Sequence, residues 1–499
     1  MSRKVPDPLQ PSSSDSAAAH ASHDAKAPSA HPPRASEKHD PPLRAAAPND
    51  KPPRGADAQS TLPRPAPEKH DPPLPAAQPN NHRPPRLESA AAAPDVEAAH
   101  HTSRDRAASG ALRPSEVHPQ PLAAALNPED APIPLVDLAA QHRALQPNLQ
   151  RAFERVLASG SFILGPEVSA FEAEIAELLG VPHAVGVSSG TDALLLALLA
   201  LGIGPGDEVL VPAFSFFATA GCVARVGARP VFVDIDPRTY NINVELAAAR
   251  VTRATKAIIP VHLYGQICDL EALGKLNLPI IEDAAQALGA GSAPWQAGAG
   301  GAFACFSFFP TKNLGALGDA GLLTTHDAAL AKRARLLRAH GAEPKYHHAL
   351  IGGNFRIDAL QAAFLRAKLP HLSGWNQARQ HNARMYDRIF ASAALPETLL
   401  RTPAVQKPNH IYHQYVIQTP HRDALQAHLQ RERIGCEVYY PVPLHLQVCF
   451  AHLGEHAGSH PVAERAAREV LALPIYPELS ASQIERVARV VAEFLRHFG

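Results

Sequence analysis

A lysine within an apolar and glycine-rich stretch is a candidate for covalent chemistry. Lys312 follows Phe308 and Phe309 and precedes a run of small residues that ends at Gly321. An apolar environment lowers the pKa of a lysine, and the neutral amine then adds to an aldehyde. On this segment alone, the alternative is a solvated loop lysine whose stem covers apolar surface.

An acid close to the end of a buried strand is a second candidate. Residues 279–281 are apolar and strand-like, and Asp283 lies two residues further on. Ligands of open parallel sheets bind at the carboxyl ends of the strands. A carboxylate placed there would hold a proton on a heteroaromatic nitrogen and keep the ring cationic. The alternative is that Asp283 caps a following helix.

A strand-to-helix junction provides the third candidate. Ser189, Gly190 and Thr191 connect an apolar strand to a buried helical run at 192–201, and the free N–H groups of such a turn bind phosphate. A purely structural turn is one alternative. The other is the G-x-S-x-G elbow of a serine hydrolase with Ser188 as nucleophile, although no HGGG-type oxyanion segment precedes it.

Together, a phosphate cradle, a strand-end acid and an activated lysine are the three contacts that pyridoxal 5′-phosphate needs. These residues must therefore be positioned at one edge of a sheet. Short apolar strands separated by crossovers predict an α/β domain with a parallel sheet covered on both faces. The predicted strands are 184–187, 208–211, 230–233, 257–261 and 279–281.

The chain changes character after about Pro370, where a smaller α+β domain is predicted. Its predicted elements are helices at 375–390 and 424–433, strands at 412–417 and 437–440, and a final helix at 480–498. The final helix has an apolar stripe behind a Ser480 and Gln483 capping-box pattern. In the large domain, the helix at 167–179 is predicted to end at Gly180.

The first 130 residues differ from the rest in composition. They contain 25 of the 49 prolines and none of the 28 aromatic residues. Such a segment buries too little apolar surface to offset its ordering entropy, so a disordered extension is predicted. A Pro-rich duplication, residues 37–43 repeated at 68–74, leaves a partner-docking arm as the alternative.

Composition excludes several classes of protein. The 47 basic and 47 acidic residues balance, so nothing favours nucleic acid as a partner. Five separated cysteines without a C-x-x-C pair disfavour a disulfide framework or a zinc site, and no metal is expected. No apolar run is long enough to span a membrane and no signal-peptide core is present, so a cytoplasmic location is predicted.

From Ile133 to the C-terminus, the sequence resembles the DegT/DnrJ/EryC1/StrS family of nucleotide-sugar aminotransferases, which are pyridoxal-phosphate enzymes of fold type I. Eight segments carry the resemblance by their order and spacing: 189–194, 211–219, 232–236, 262–266, 282–287, 309–315, 353–358 and 440–445. It implies a mainly parallel seven-stranded sheet in the large α/β domain. We predict a disordered extension at 1–130, an N-terminal helix with the large domain at 131–372, and the small domain at 373–499.

The resemblance also implies roles for individual residues. Lys312 would bond to the cofactor and move the proton, and Asp283 would pair with the pyridinium nitrogen. Gln286 would approach the ring hydroxyl, and Phe216 would stack on the ring. The remaining cofactor-binding positions, at the phosphate and its turn, are Gly190, Thr191, Asp192 and Ser307.

Asn354 in this family usually reaches the cofactor phosphate of the neighbouring subunit, which implies a homodimer with shared active sites. The implied reaction is ping-pong transfer of an amino group from an amino acid, usually glutamate, to a keto-sugar nucleotide. C3 of a dTDP-3-keto-6-deoxyhexose is the preferred acceptor. Alternatives are another carbon, a UDP or GDP sugar, or a regulatory homologue that binds the cofactor without turnover.

Three positions depart from the family pattern. Phe309 replaces a frequent tyrosine, Tyr439 replaces a frequent histidine, and Leu288 replaces another histidine. Each change alters a polar group near the substrate or the cofactor. Either a different sugar is bound or specificity depends on other residues.

Overall fold

The computed structural model describes residues 131–499, and the predicted disordered extension at 1–130 lies outside this range. All described residues belong to one compact unit. The strands of the described part are β1 (His183–Val187), β2 (Glu208–Pro212), β3 (Arg229–Val233), β4 (Thr255–Ile258), β5 (Ile281–Asp283), β6 (Gly291–Ser292), β7 (Trp295–Gln296), β8 (Phe303–Ser307), β9 (Gly321–Thr325), β10 (Tyr415–Gln418) and β11 (Val470–Leu473).

The α-helices of residues 131–499 are α1 (Leu138–Ser159), α2 (Pro166–Leu179), α3 (Gly190–Leu201), α4 (Ala218–Arg225), α5 (Val244–Ala249), α6 (Leu270–Gly274), α7 (Ala328–Arg338), α8 (Ala359–Lys368), α9 (Leu372–Ala393), α10 (Arg422–Arg431), α11 (Pro461–Glu469) and α12 (Ala481–Arg496). Short 3-10 helices occupy Leu263–Gly265, Leu369–His371, Leu444–Leu446 and Val448–Leu453. This mixture of strands and helices confirms the predicted α/β class.

The central strands form two hydrogen-bonded groups, β1-β9-β8-β5 and β3-β2-β4. Parallel bridges between Ile258 and Ile280 and between Val261 and Asp283 connect the ends of β4 and β5, so the two groups lie side by side. The pairs β2–β3, β2–β4 and β5–β8 are parallel, whereas β9 is antiparallel to both of its neighbours. The carboxyl ends of β2, β4, β5 and β8 therefore lie at one edge.

Helix ends follow local rules of the sequence. As predicted, α2 ends at Gly180, which has a φ of 64° and donates back to the last turn. The predicted capping box is also present, because Ser480 and Gln483 bond each other's backbone N–H groups at the start of α12. Helix α3 is apolar on nearly every side and is buried between the sheet and helices α4 and α7.

One predicted strand is wrong. Residues 437–440 form no strand, and only Glu437 makes a bridge, to Ala472 next to β10. The chain then turns towards the central sheet, where Tyr440 accepts a hydrogen bond from Gln286. The valine and tyrosines of this segment therefore serve long-range contacts and not pairing within a strand.

Within residues 131–499, no helix combines the length and apolar composition that crossing a bilayer requires.

Candidate active site

A cavity of about 390 Å³ opens at the carboxyl edge of the central strands. Seven of the residues predicted to bind a cofactor line it: Gly190, Thr191, Phe216, Asp283, Gln286, Ser307 and Lys312. They come from the start of α3, from the segment before α4, and from the ends of β5 and β8 and the segments that follow them. The fold therefore brings together groups that are more than 100 residues apart in sequence.

The turn between β1 and α3 forms one wall of the cavity. Ser189 is the N-cap of α3 and accepts a hydrogen bond from the backbone N–H of Asp192 over 3.1 Å. The first N–H groups of the helix, at Gly190 and Thr191, have no acceptor within the helix and carry the positive end of its dipole. This wall suits a phosphate group.

Asp192 does not line the cavity. Its carboxylate accepts hydrogen bonds from the hydroxyls of Ser188 and Ser189, at 2.6 and 3.0 Å. Asp192 thus holds the turn in place from the side that faces away from the cavity. The same contact argues against the hydrolase, because the hydroxyl of Ser188 is bound by a carboxylate and the side chain is not part of the cavity wall.

Gly190 is required by the close approach of β8. A Cβ atom at this position would lie 2.7 Å from the Cβ of Ser307 and 3.2 Å from its Cα, closer than such atoms can approach. Ser307 ends β8, and its hydroxyl accepts a hydrogen bond from the N–H of Phe309 over 3.3 Å. Because Gly190 has no side chain, the turn and the hydroxyl of Ser307 can line the same part of the cavity.

Asp283 is buried at the end of β5. Its Oδ1 accepts a hydrogen bond from the N–H of Ala285 over 3.3 Å, and its Oδ2 accepts one from the hydroxyl of Thr219 over 2.8 Å. Burial raises the pKa of Asp283, while these two hydrogen bonds and the charge of Lys312 act in the opposite direction. Turns and not a helix follow at 284–290, so the helix-capping alternative is excluded.

Lys312 lies in a turn after β8, where its N–H donates to the carbonyl of Phe309 over 2.8 Å. The side chain is half-buried in the cavity wall. Enclosure by the surrounding protein lowers the pKa of Lys312 to about 8, although the carboxylate of Asp283 raises it. A substantial fraction of this amine is therefore neutral near pH 8 and available to add to an aldehyde.

Gln286 and an aromatic cluster close another side of the cavity. Gln286 Oε1 accepts a hydrogen bond from the N–H of Tyr264 over 2.6 Å, and its Nε2 donates to the hydroxyl of Tyr440 over 3.1 Å. The ring of Tyr440 lies 6.0 Å from the ring of Phe216. Phe216 is 54% exposed, so one face of its ring is free to stack on a ligand.

Asn354 is the other predicted residue that the fold keeps away from this cavity. Its side chain is exposed, and its Oδ1 accepts a hydrogen bond from Arg356 Nε over 2.9 Å. Within one chain, Asn354 does not line the cavity.

Several residues of the site were not predicted from the sequence. Ser215, His413 and Tyr440 line the cavity, and Thr219 lies directly behind Asp283. Ser215 and Thr219 lie in the segment 211–219 that carries the family resemblance, and that segment was the available signal. His413 has no such signal, because it reaches the site from the segment before β10.

The residues fit pyridoxal 5′-phosphate. A side chain at Gly190 would collide with Ser307 beside the turn, and the pKa of Lys312 is lowered to about 8. The buried carboxylate of Asp283 lines the same cavity. Gly190, Thr191 and Ser307 would hold the phosphate, Asp283 the ring nitrogen, and Lys312 the aldehyde carbon. Fold and cavity together are those of a pyridoxal-phosphate aminotransferase.

The chain belongs to the DegT/DnrJ/EryC1/StrS aminotransferase family, whose model matches residues 144–492. It is 48% identical over 371 residues to a pleiotropic regulatory protein of Geobacillus stearothermophilus, covering 74% of this chain and all of the relative. It is 46% identical over 374 residues to the UDP-N-acetyl-3-dehydro-alpha-D-glucosamine 3-aminotransferase of Acidithiobacillus ferrooxidans, covering 74% and 99% of the two chains.

Solved structures agree with this assignment. The crystal structure of S. venezuelae DesV in complex with a ketimine intermediate is 43% identical to this chain and matches it with a TM-score of 0.70. The match covers 73% of this chain and 98% of DesV. The Bacillus subtilis protein NtdA, solved with bound cofactor PMP, is 30% identical with a TM-score of 0.69, covering 73% and 85% of the chains.

Proposed function

We propose that this protein is a pyridoxal-phosphate-dependent nucleotide-sugar aminotransferase of fold type I. The observation that carries the proposal is that Lys312, Asp283 and the start of α3 face one cavity. Pyridoxal phosphate, when bound, supplies an electron sink for the carbon that exchanges its amino group. The protein supplies orientation, charge and proton transfer.

Each residue has a separate task in this proposal. Lys312 would hold the cofactor through its aldehyde, and its amine, with a pKa of about 8, would accept and return the proton that amino-group exchange requires. Asp283 holds the proton on the ring nitrogen. Gln286, already bound by Tyr264, orients the ring hydroxyl, and Phe216 stacks on the ring.

The phosphate end is proposed to be held by neutral groups. The backbone N–H groups at Gly190 and Thr191 and the hydroxyls of Thr191 and Ser307 provide donors, and the dipole of α3 favours the negative charge. Asp192 contributes indirectly, because it binds the hydroxyls that fix this turn.

The proposed acceptor is a keto-sugar nucleotide, with C3 of a dTDP-3-keto-6-deoxyhexose preferred and an amino acid such as L-glutamate as donor. The activities named for several relatives support the class. They include dTDP-3-amino-sugar transaminases, a UDP-sugar 3-aminotransferase and a GDP-perosamine synthase. Because these relatives differ in nucleotide, acceptor choice requires an assay with dTDP, UDP and GDP keto-sugars.

A cytoplasmic homodimer is part of the proposal. Asn354 is exposed and lies outside the cavity of its own chain, as a residue that serves the partner subunit would. We also propose that the described part of the chain divides into two domains. The large domain would then span 131–372 and the small domain 373–499, with the boundary at the start of α9.

A second candidate function is regulation without turnover. Relatives at 48% and 45% identity are a pleiotropic regulatory protein and the erythromycin biosynthesis sensory transduction protein EryC1. A regulatory protein would retain the cofactor site formed by Lys312 and Asp283. The two functions differ in whether an amine donor is consumed.

The visible absorption of the purified protein, before and after addition of L-glutamate, tests both candidates. The aminotransferase should be yellow and lose its visible band to a near-ultraviolet band as the amino group is taken up. Lys312→Ala should abolish the visible band, whereas the exposed Lys332→Ala should not. A protein that is yellow but unchanged by every amine donor would favour regulation, and one that stays colourless after reconstitution would contradict both.

A further inference from the structure

A buried chain of hydroxyl groups lies behind the carboxylate of Asp283. Thr219 is completely buried, and its Oγ1 donates to Asp283 Oδ2 over 2.8 Å. The Oγ of Ser215 lies 3.0 Å from the same Thr219 oxygen. Asp283 Oδ1 is bound separately by the N–H of Ala285. Both carboxylate oxygens thus face donors on the protein side.

The directions of these hydrogen bonds follow from the number of protons. A hydroxyl has one proton to donate, and an ionised carboxylate only accepts. Because Thr219 gives its proton to Asp283, its oxygen must accept the proton of Ser215. The chain therefore runs Ser215 to Thr219 to Asp283, and its last hydrogen bond is strongest when the aspartate is negatively charged.

Two elements hold the chain in place. Ser215 lies in the segment after β2 and lines the cavity, whereas Thr219 lies in the first turn of α4. Ser215 precedes α4, and the chain returns its hydroxyl to within 3.0 Å of the Thr219 hydroxyl. Thr219 and Asp283 are 64 residues apart in sequence, so this hydrogen bond fixes the position of α4 relative to β5.

We propose that Thr219 is a positioning residue that keeps Asp283 ionised and oriented towards the cavity, with Ser215 fixing the direction in which Thr219 donates. This rests on the proposed function, in which Asp283 must be negative to hold a proton on the cofactor ring. Thr219 itself lies behind the carboxylate and acts through it.

The electrostatic environment explains why a donor is needed. Burial raises the pKa of Asp283, and the Thr219 hydrogen bond is the largest of the influences that lower it again. Titratable groups that interact with Asp283 come from several packed elements: His262, Lys312, Tyr440, Cys222 and Cys305. Lys312 and His262 favour the charged carboxylate.

Thr219→Val tests the proposal, because valine keeps the shape of threonine and removes the hydroxyl. The readout is the dissociation constant of pyridoxal phosphate for the full-length apoprotein, measured by absorbance titration between pH 6 and pH 9. We expect binding to weaken about tenfold at neutral pH and to deteriorate further as the pH falls, since Asp283 protonates earlier without its donor.

Two further variants separate positioning from packing. Thr219→Ser retains the hydroxyl and should bind within about threefold of wild type. Ser215→Ala removes the donor to Thr219 without touching Asp283, and it should shift the pH dependence in the same direction but by less. Thr219→Cys, which has only a weak donor, replaces the valine variant if that protein does not fold.

The outcomes distinguish the inference from the proposed function. Wild-type protein that fails to bind pyridoxal phosphate would contradict the proposed function. Wild-type protein that binds, together with a folded Thr219→Val variant of unchanged affinity and unchanged pH profile, would overturn the role of Thr219 alone. Equal weakening in the serine and valine variants would overturn it as well, because loss of packing and not of the hydroxyl would then be responsible.

Discussion

The side-chain oxygen of Asn313 lies 3.2 Å from Nδ1 of His413 in the wall of the cavity. Asn313 Nδ2 lies 3.3 Å from the carbonyl oxygen of Ile411, which can only accept, so Nδ2 is the donor and Oδ1 the acceptor. Nδ1 of His413 therefore carries the proton, and Nε2 is the unprotonated nitrogen. Burial, followed by the charges of Lys312 and Arg379, holds the pKa of His413 well below its usual value.

Asn313→Asp should destabilise the protein strongly. The new oxygen would face the carbonyl of Ile411 and the side-chain oxygen of Asn376, which now accepts from Asn313 Nδ2 over 2.7 Å. A buried charge facing two acceptors should lower the free energy of unfolding by about 3 kcal/mol. Asn409→Asp is the matched control, because Asn409 also donates to two carbonyls but is exposed. If chemical denaturation showed the same loss of unfolding free energy for Asn313→Asp and Asn409→Asp, the assigned orientation of the Asn313 amide would be wrong.

Lys312 should capture pyridoxal phosphate with the pH dependence of an activated amine. Because its pKa is lowered to about 8, the rate of capture by the apoprotein should rise through that pH and level off above it. Asp283→Asn removes the negative charge that raises the pKa of Lys312, so the midpoint should move to lower pH. Stopped-flow absorbance measures both, and a midpoint at the ordinary lysine value near pH 10 would exclude activation.

Local sequence patterns were sufficient for much of the fold. Apolar runs predicted β1 to β5, and cap residues predicted the end of α2 and the start of α12. Strand bounds were less accurate, since β5 is Ile281–Asp283 and not 279–281. The segment at 437–440 failed because its aromatic residues serve contacts with Gln286 and Tyr264, which local patterning does not encode.

The site divides in the same way. Lys312, Asp283 and Gly190 stand in motifs whose neighbours make their chemistry recognisable from sequence. Thr219 and His413 acquire their roles through partners 64 and 100 residues away, and only the packing of separate elements brings those partners within hydrogen-bond distance. The segment 211–219 contains Thr219 but does not indicate its partner, and His413 lies in none of the family segments.

Gly190→Ala should weaken cofactor binding more than it affects folding. The added Cβ would force Ser307 away by a few tenths of an ångström or more, since it would lie 2.7 Å from the serine Cβ. Helix α3 and strand β8 can move apart slightly to accommodate the Cβ. This movement would separate the backbone N–H groups of α3 from the hydroxyl of Ser307, which are the proposed phosphate donors. We expect the dissociation constant of pyridoxal phosphate to rise at least tenfold, or about 1.4 kcal/mol. Gly274→Ala, where a Cβ would contact nothing within 4 Å, should leave binding unchanged.

His410 should make stability depend on pH below neutrality. Its ring is buried against Tyr412, with centroids 4.0 Å apart, and its Nδ1 accepts the N–H of Tyr412 over 3.0 Å. Burial lowers its pKa to about 3, so the folded protein keeps His410 neutral while the unfolded chain takes up a proton below about pH 6.5. Stability is therefore full above that pH and decreases as the pH falls.

Between pH 7.5 and 5.5, proton uptake by the unfolded state at this one histidine should remove about 1.4 kcal/mol from the free energy of unfolding of the apoprotein. His410→Gln cannot take up that proton, so its loss over the same interval should be smaller than that of wild type by this amount. His381→Gln, at an exposed position, serves as the control and should keep the wild-type dependence. If wild type and His410→Gln lost the same unfolding free energy between pH 7.5 and pH 5.5, His410 would not be the group responsible.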